Sequence, residues 1–140
     1  MDRALLVTLT NLMNNKSGRI LIVEDDEIRR CWFREQFAQF ECDVTDQVAV
    51  AIQWLTQRDY DLIFLDHDLI EEHYFIEAAD DGLTGYTVAA WLAENPDRQL
   101  QAQIIIHSLN YSGSERMLER MQTAGRKAEH VPFPHLSWLF

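Results

Sequence analysis

Three short polar clusters stand out because each directly follows an apolar run: Glu24, Asp25 and Asp26 after RILIV, Asp66, His67 and Asp68 after LIFL, and His107, Ser108 and Asn110 after QIII. These residue types carry metal-assisted and proton-transfer chemistry. Carboxylates brought together raise one another's pKa unless a cation sits between them, and hard ions such as Mg²⁺ or Mn²⁺ take oxygen ligands of this kind. Imidazoles titrate near neutral pH and serve as general acids or bases. Each cluster also has a plainer reading. Acids at the start of a helix favour the positive end of its dipole, and a histidine just past a strand can simply close a sheet edge. Strict alternation puts His67 on the face opposite Asp66, and His107 on the face opposite Ser108.

The elements that must position these clusters follow from periodicity. Residues 19–23 form an apolar strand, and Ile28, Trp32, Phe33, Phe37 and Phe40 recur as one helical face. A weak strand at Cys42–Thr45 precedes a helix carrying Val48, Ala51, Ile52 and Leu55, and Leu62–Leu65 is apolar on both faces, as a buried parallel strand should be. The stretch from Ile70 to Thr84, with Glu71, Glu72, His73, Glu77, Asp80, Asp81 and Gly82, reads as a long loop. A helix over 85–95 must stop before Pro96. Then come the strand QAQIIIHS, a helix from about Ser112 to Ala124 that stops at Gly125, and a last strand, AEHVPF. This alternation predicts an α/β fold with a doubly wound five-stranded parallel sheet, flavodoxin-like, helices on both faces and the ligand site at the carboxyl ends of the strands.

At 140 residues the chain has the size of one domain, and 12 basic against 23 acidic residues give a net charge of −11. That balance disfavours direct nucleic-acid binding and anionic membrane surfaces. Cys31 and Cys42 form no metal spacing and fit a reduced, cytoplasmic setting. No apolar run approaches the roughly 18 residues of a membrane span. Neither a GxxxxGK[ST] nor a GxGxxG phosphate cradle occurs, and no Ser or Cys sits in a nucleophile elbow. The domain is expected over 19–140, after an N-terminal extension, 1–18. There Leu5, Leu9, Leu12 and Met13 lie at i, i+4, i+7 and i+8, a stripe suited to covering a sheet face in the same chain or in a homodimer.

ILIVEDDE followed by a helix, LIFLDHDL, and Ser108 at the end of the fourth strand together resemble the receiver domain of two-component response regulators. The resemblance implies Asp25 and Asp66 as direct metal ligands, Glu24 holding the ion through water, and the backbone carbonyl of Asp68 completing the set. It further implies Asp66 as phosphoryl acceptor and Ser108 as the hydroxyl that bonds the phosphoryl group. Receivers carry a lysine just before Pro-Phe at the last strand; here Val131 precedes Pro132 and Phe133, and the lysines are Lys16 and Lys127. The chain ends seven residues after Phe133, so a truncated C-terminal helix is expected. LDHDL, Asp81-Gly82 and IHSLN with Gly113 and Met117 are similar to a narrower subgroup, the cyclic-phosphate-processing receivers.

Three functions are therefore expected in competition. One is a stand-alone, atypical receiver-like signalling domain that binds a divalent metal and reports to a histidine kinase or other signalling protein. The second is a metal-assisted phosphoesterase acting on cyclic or terminal phosphates, with Asp66, His67, His107, Ser108 and Asn110 in catalytic positions. The third is a pseudo-receiver that works as an interaction module without phosphorylation.

Overall fold

Alternation along the central strands divides the apolar residues into two sets, and the fold is built on that division. The computed structural model describes residues 3–15, 17–69 and 84–140. The helices and strands run α1 (Arg3–Asn15), β1 (Arg19–Val23), α2 (Glu27–Gln36), β2 (Glu41–Thr45), α3 (Val48–Gln57), β3 (Leu62–Leu65), α4 (Gly85–Glu94), β4 (Gln103–Ile106), α5 (Tyr111–Thr123), β5 (Ala128–His130) and α6 (Phe133–Leu139). All strand pairs are parallel and the sheet order is β2-β1-β3-β4-β5, the doubly wound arrangement expected. The loop expected over 70–84 falls, apart from Thr84, outside the described residues.

Leu21, Val23, Ile63, Leu65, Ile104 and Ile106 face one way, against α3, α4 and α5. Ile20, Ile22, Leu62, Phe64 and Ile105 face the other, against α1, α2 and α6. The two apolar layers bury both faces, which is why the strands read as continuous hydrophobic runs.

The second layer shows what the ends of the chain do. Leu5 and Leu9 of α1 are buried there, with Leu12 and Met13 packed alongside, so the amphipathic stripe covers its own sheet. Each fully buried leucine contributes roughly 1.5–3 kcal/mol. The C-terminal helix is short, as expected, but it forms: α6 has seven residues and buries Leu136 in the same layer. Two helical boundaries differ from the sequence reading. The helix carrying Trp32 and Phe33 ends at Gln36, and Phe37 caps it through its N–H to the Phe33 carbonyl, leaving Phe40 in the following turn. Pro132, expected within the last strand, instead caps α6. With no backbone N–H, proline extends no ladder and suits a helix start.

Candidate functional site

Register across the carboxyl edge of the sheet decides which polar residues meet. Val23 pairs with Leu65 and Leu65 with Ile106, so Glu24, Asp66 and His107, one residue further on, lie level in three neighbouring strands. Alternation puts all three on the side of Phe33 and Phe64. Each offers one ligand atom, and these atoms lie within 4.8 Å of one another. Relative exposures of 0%, 3% and 1% make this a buried cluster.

Glu24 is its hub. Its Oε2 accepts the backbone N–H of Asp25 (2.9 Å) and of Asp26 (3.0 Å), and its Oε1 lies 2.9 Å from His107 Nε2 and 3.0 Å from Arg29 Nε. Arg29 also reaches Asp66, with Nη2 3.6 Å from Oδ2. Asp66 Oδ1 accepts the N–H of His67 at 2.9 Å. His107 Nδ1 is buried with no hydrogen-bond partner among the described residues.

Burial dominates the ionisation of the cluster. It pushes Glu24 above the usual carboxylate range, and it lifts Asp66 from 3.8 to about 7, with the Glu24 charge adding to the rise while His107 and Arg29 oppose it. It drives His107 from 6.5 down to about 4, against the pull of Asp66. A neutral imidazole must carry its proton on Nε2 to donate to Glu24. Burial also works against Arg29, but Glu24, Asp66, Asp26 and Asp25 more than offset it and raise its pKa.

His67 and Asn110 belong to a different assembly. Asp66 and His67 are neighbours in sequence and point to opposite faces, so His67 turns away from the acids. Its Nδ1 lies 2.7 Å from Asp68 Oδ1 and must donate to it; Asn110 Nδ2, 3.2 Å from the same oxygen, donates there too. Asn110 Oδ1 accepts the N–H of Gly113 at 2.9 Å and so caps α5. Two glycines make room for this arrangement. A Cβ on Gly113 would lie 2.5 Å from His67 Cδ2, and one on Gly85 would lie 1.8 Å from the Asp66 carbonyl oxygen. Gly85 N donates to the His67 carbonyl at 2.8 Å, locking the start of α4 to the strand end.

The other expected site residues take these places. Ser108 faces away from Asp66, and its Oγ accepts the Asn110 N–H at 3.0 Å; alternation gives the position facing the acids to His107. Glu24 joins Asp66 and His107 in the row, and Asp25 lies at its margin with its Oδ1 buried. The Asp68 carboxylate is engaged with His67. Asn110 is a helix cap tied to Asp68, away from the acid row. His107 and Asp66 do meet, because each follows one member of the Leu65–Ile106 pair and alternation turns both to the same face.

The sequence reading passed over Arg29. It is the third residue of α2, where a cation opposes the helix dipole, and that mismatch five residues after Glu24 was the available signal. Val131 lies level with His107, its N–H bonded to the Ile106 carbonyl at 2.9 Å, and it is buried. Lys127 sits at the opposite edge, just before β5, where its carbonyl accepts from Ile104 at 2.9 Å.

The donor set suits a divalent cation. Two carboxylates and an imidazole converging from three strands match the needs of an ion with oxygen and nitrogen ligands, while the Arg29 guanidinium holds the same carboxylate oxygens. The two carboxylates suit Mg²⁺ or Mn²⁺, and the imidazole favours a transition-metal ion over Mg²⁺.

A parallel 2-1-3-4-5 sheet with acids at the carboxyl edge beside β1 and β3 defines a doubly wound protein of the receiver class. Solved structures agree on the fold. The response regulator TrrA of Thermotoga maritima, in complex with Mg²⁺-BeF, is similar at 20% identity and a TM-score of 0.59, over 87% of this chain and 98% of that one. A signal receiver domain of an HD domain-containing protein from Pseudomonas fluorescens Pf-5 gives 13% identity and a TM-score of 0.63 over 88% and 90%. A CheY-like receiver domain protein from Methanospirillum hungatei JF-1 gives 16% and 0.57 over 83% and 81%. No curated protein matches the chain. The family model described as "Cyclic-phosphate processing Receiver domain" matches residues 20–123, and the chain belongs to that family. Among the described residues, no helix is long and apolar enough to cross a membrane.

Proposed function

We propose that this receiver domain is a divalent-cation-dependent phosphoesterase that processes a cyclic or terminal phosphate at the Glu24–Asp66–His107 cluster. The observation that carries the reading is the register that sets His107 beside the two carboxylates while Val131 stands level with it at the next strand. Ordinary transfer of a phosphoryl group to Asp66 develops charge that a fixed amine would stabilise, and valine has none. An imidazole beside a cation site supplies proton transfer instead. Glu24, Asp66 and His107 would hold or face the ion, Mn²⁺ or Mg²⁺. The cation would polarise the phosphate and lower the pKa of bound water.

A second reading is favoured by burial. With all three groups 3% exposed or less, the cluster can bind a small cation and report its presence to a partner protein without turning over a substrate.

The test is hydrolysis of 2′,3′-cyclic nucleotides with Mn²⁺ or Mg²⁺ by wild type, His107→Ala and His67→Ala, run beside labelling by acetyl phosphate. Loss of a general acid or base costs roughly a hundred- to ten-thousand-fold. His107→Ala should show that loss and His67→Ala a much smaller one, with little labelling of Asp66. Equal rates in wild type and His107→Ala would remove His107 as a catalyst. No turnover by wild type would leave the cation-sensing signalling domain, and efficient labelling abolished by Asp66→Asn would restore ordinary phosphotransfer.

A further inference from the structure

Arg29 is held where a cation has no local reason to be. It lies in the first turn of α2, where the helix dipole disfavours positive charge, and its backbone N–H is taken by the Asp26 cap at 2.9 Å. Its side chain nevertheless folds back to the sheet edge. Nε stands 3.0 Å from Glu24 Oε1, Nη2 stands 3.3 Å from Glu24 Oε2 and 3.6 Å from Asp66 Oδ2, and the guanidinium carbon sits 5.8 Å from the centre of the Phe133 ring.

Those oxygens are the ones a divalent cation needs. Glu24 Oε1 already faces both Arg29 and His107, so it cannot also take a metal at coordination distance while the guanidinium stays. Charge repulsion between guanidinium and ion acts in the same direction.

The side chain is 25% exposed, unlike the cluster it serves, so a path outward exists. The Phe133 face offers a cation–π rest at the mouth of the cluster. A planar guanidinium matches phosphate oxygens in bidentate fashion. Neighbouring Arg30 is committed elsewhere, to Glu27 at 2.6 Å and Asp46 at 3.7 Å. Val131 offers no charge, and Lys127 lies at the far edge.

We infer that Arg29 is the exchangeable cation of this cluster: it neutralises Glu24 and Asp66 before a divalent ion binds, yields their oxygens to that ion, and then binds the phosphate of the substrate. This rests on the reading of the cluster as a cation and phosphate centre. It makes Arg29 a competitor of the metal and a partner of the phosphate, two effects of opposite sign from one side chain.

The experiment titrates Mn²⁺ by electron paramagnetic resonance, without and with inorganic phosphate, into wild type, Arg29→Met and Arg29→Gln. Circular dichroism checks each variant's fold. Wild type should bind Mn²⁺, and phosphate should bind measurably only when Mn²⁺ is present. Removing the guanidinium should tighten Mn²⁺ about tenfold or more and weaken phosphate on the Mn²⁺-loaded protein by about tenfold or more. A merely structural arginine would weaken both ligands when removed. Unchanged or weaker Mn²⁺ binding in the folded variants, or undiminished phosphate binding, would overturn the inference while leaving the cluster's cation binding intact. Failure of wild type itself to bind Mn²⁺ would overturn the cation reading and this inference with it.

Discussion

Asp66 and His107 follow the paired residues Leu65 and Ile106 on adjacent parallel strands and face the same side, so a carboxyl group and an imidazole stand abreast in a buried cluster. Each would favour the other's charged form, yet burial prevails in both: Asp66 rises to about 7 and His107 falls to about 4. The pair is therefore set to be an uncharged acid beside an uncharged base over much of the acidic range.

The pH dependence of stability follows, in buffer containing a chelator. Native Asp66 keeps a proton that the unfolded chain has lost between about pH 4 and 7, so its contribution is full below that window and falls as pH rises through it. Native His107 lacks a proton that the unfolded chain binds between about pH 4 and 6.5, so its contribution rises with pH. In wild type the two largely cancel. Relative to wild type, urea stability of Asp66→Asn should climb with pH across the window, and that of His107→Phe should fall, each by up to about 1.4 kcal/mol per pH unit. Parallel curves for all three proteins would disprove the assignment.

Metal binding should stabilise the fold by mass action, by about 2.7 kcal/mol at a concentration one hundred times Kd. Thermal midpoints measured with increasing Mn²⁺ should rise for wild type and stay flat for Glu24→Gln and Asp66→Asn. Asp25→Asn should keep more of the rise than either, because the converging ligand atoms come from Glu24, Asp66 and His107. A flat Asp25→Asn curve together with rising Glu24→Gln would return the inward role to Asp25.

Deleting residues 1–16 should uncover the layer that Leu5 and Leu9 close. At roughly 1.5–3 kcal/mol per buried leucine, urea unfolding should show a loss of several kcal/mol, or a new dimer by sedimentation as the bare face finds a second copy. Unchanged stability and an unchanged oligomeric state would rule out the covering role.

Gly85→Ala should be far more damaging than Gly113→Ala. The first drives a methyl group into the Asp66 carbonyl, which belongs to the sheet and cannot yield; the second meets the His67 ring, which can shift. Comparable losses in thermal midpoint would show that the His67 slot is as rigid as the backbone.

Much of this was legible in the residues. RILIV, LIFL and QIII announced buried parallel strands, their following acids and histidines marked the carboxyl edge, and the spacing of Leu5, Leu9, Leu12 and Met13 described a covering helix. These are local properties: a two-residue or 3.6-residue period needs no knowledge of the rest of the chain. Which polar residues meet is not local. His107 joins Glu24 and Asp66, and Ser108 does not, because of register between strands more than forty residues apart in sequence, which side-chain alternation within one strand leaves undetermined. Arg29 could have extended into solvent on the strength of its helix alone. Its return to the acids was decided by the tertiary structure, since a desolvated pair of carboxylates outweighs the local preference of a helix end.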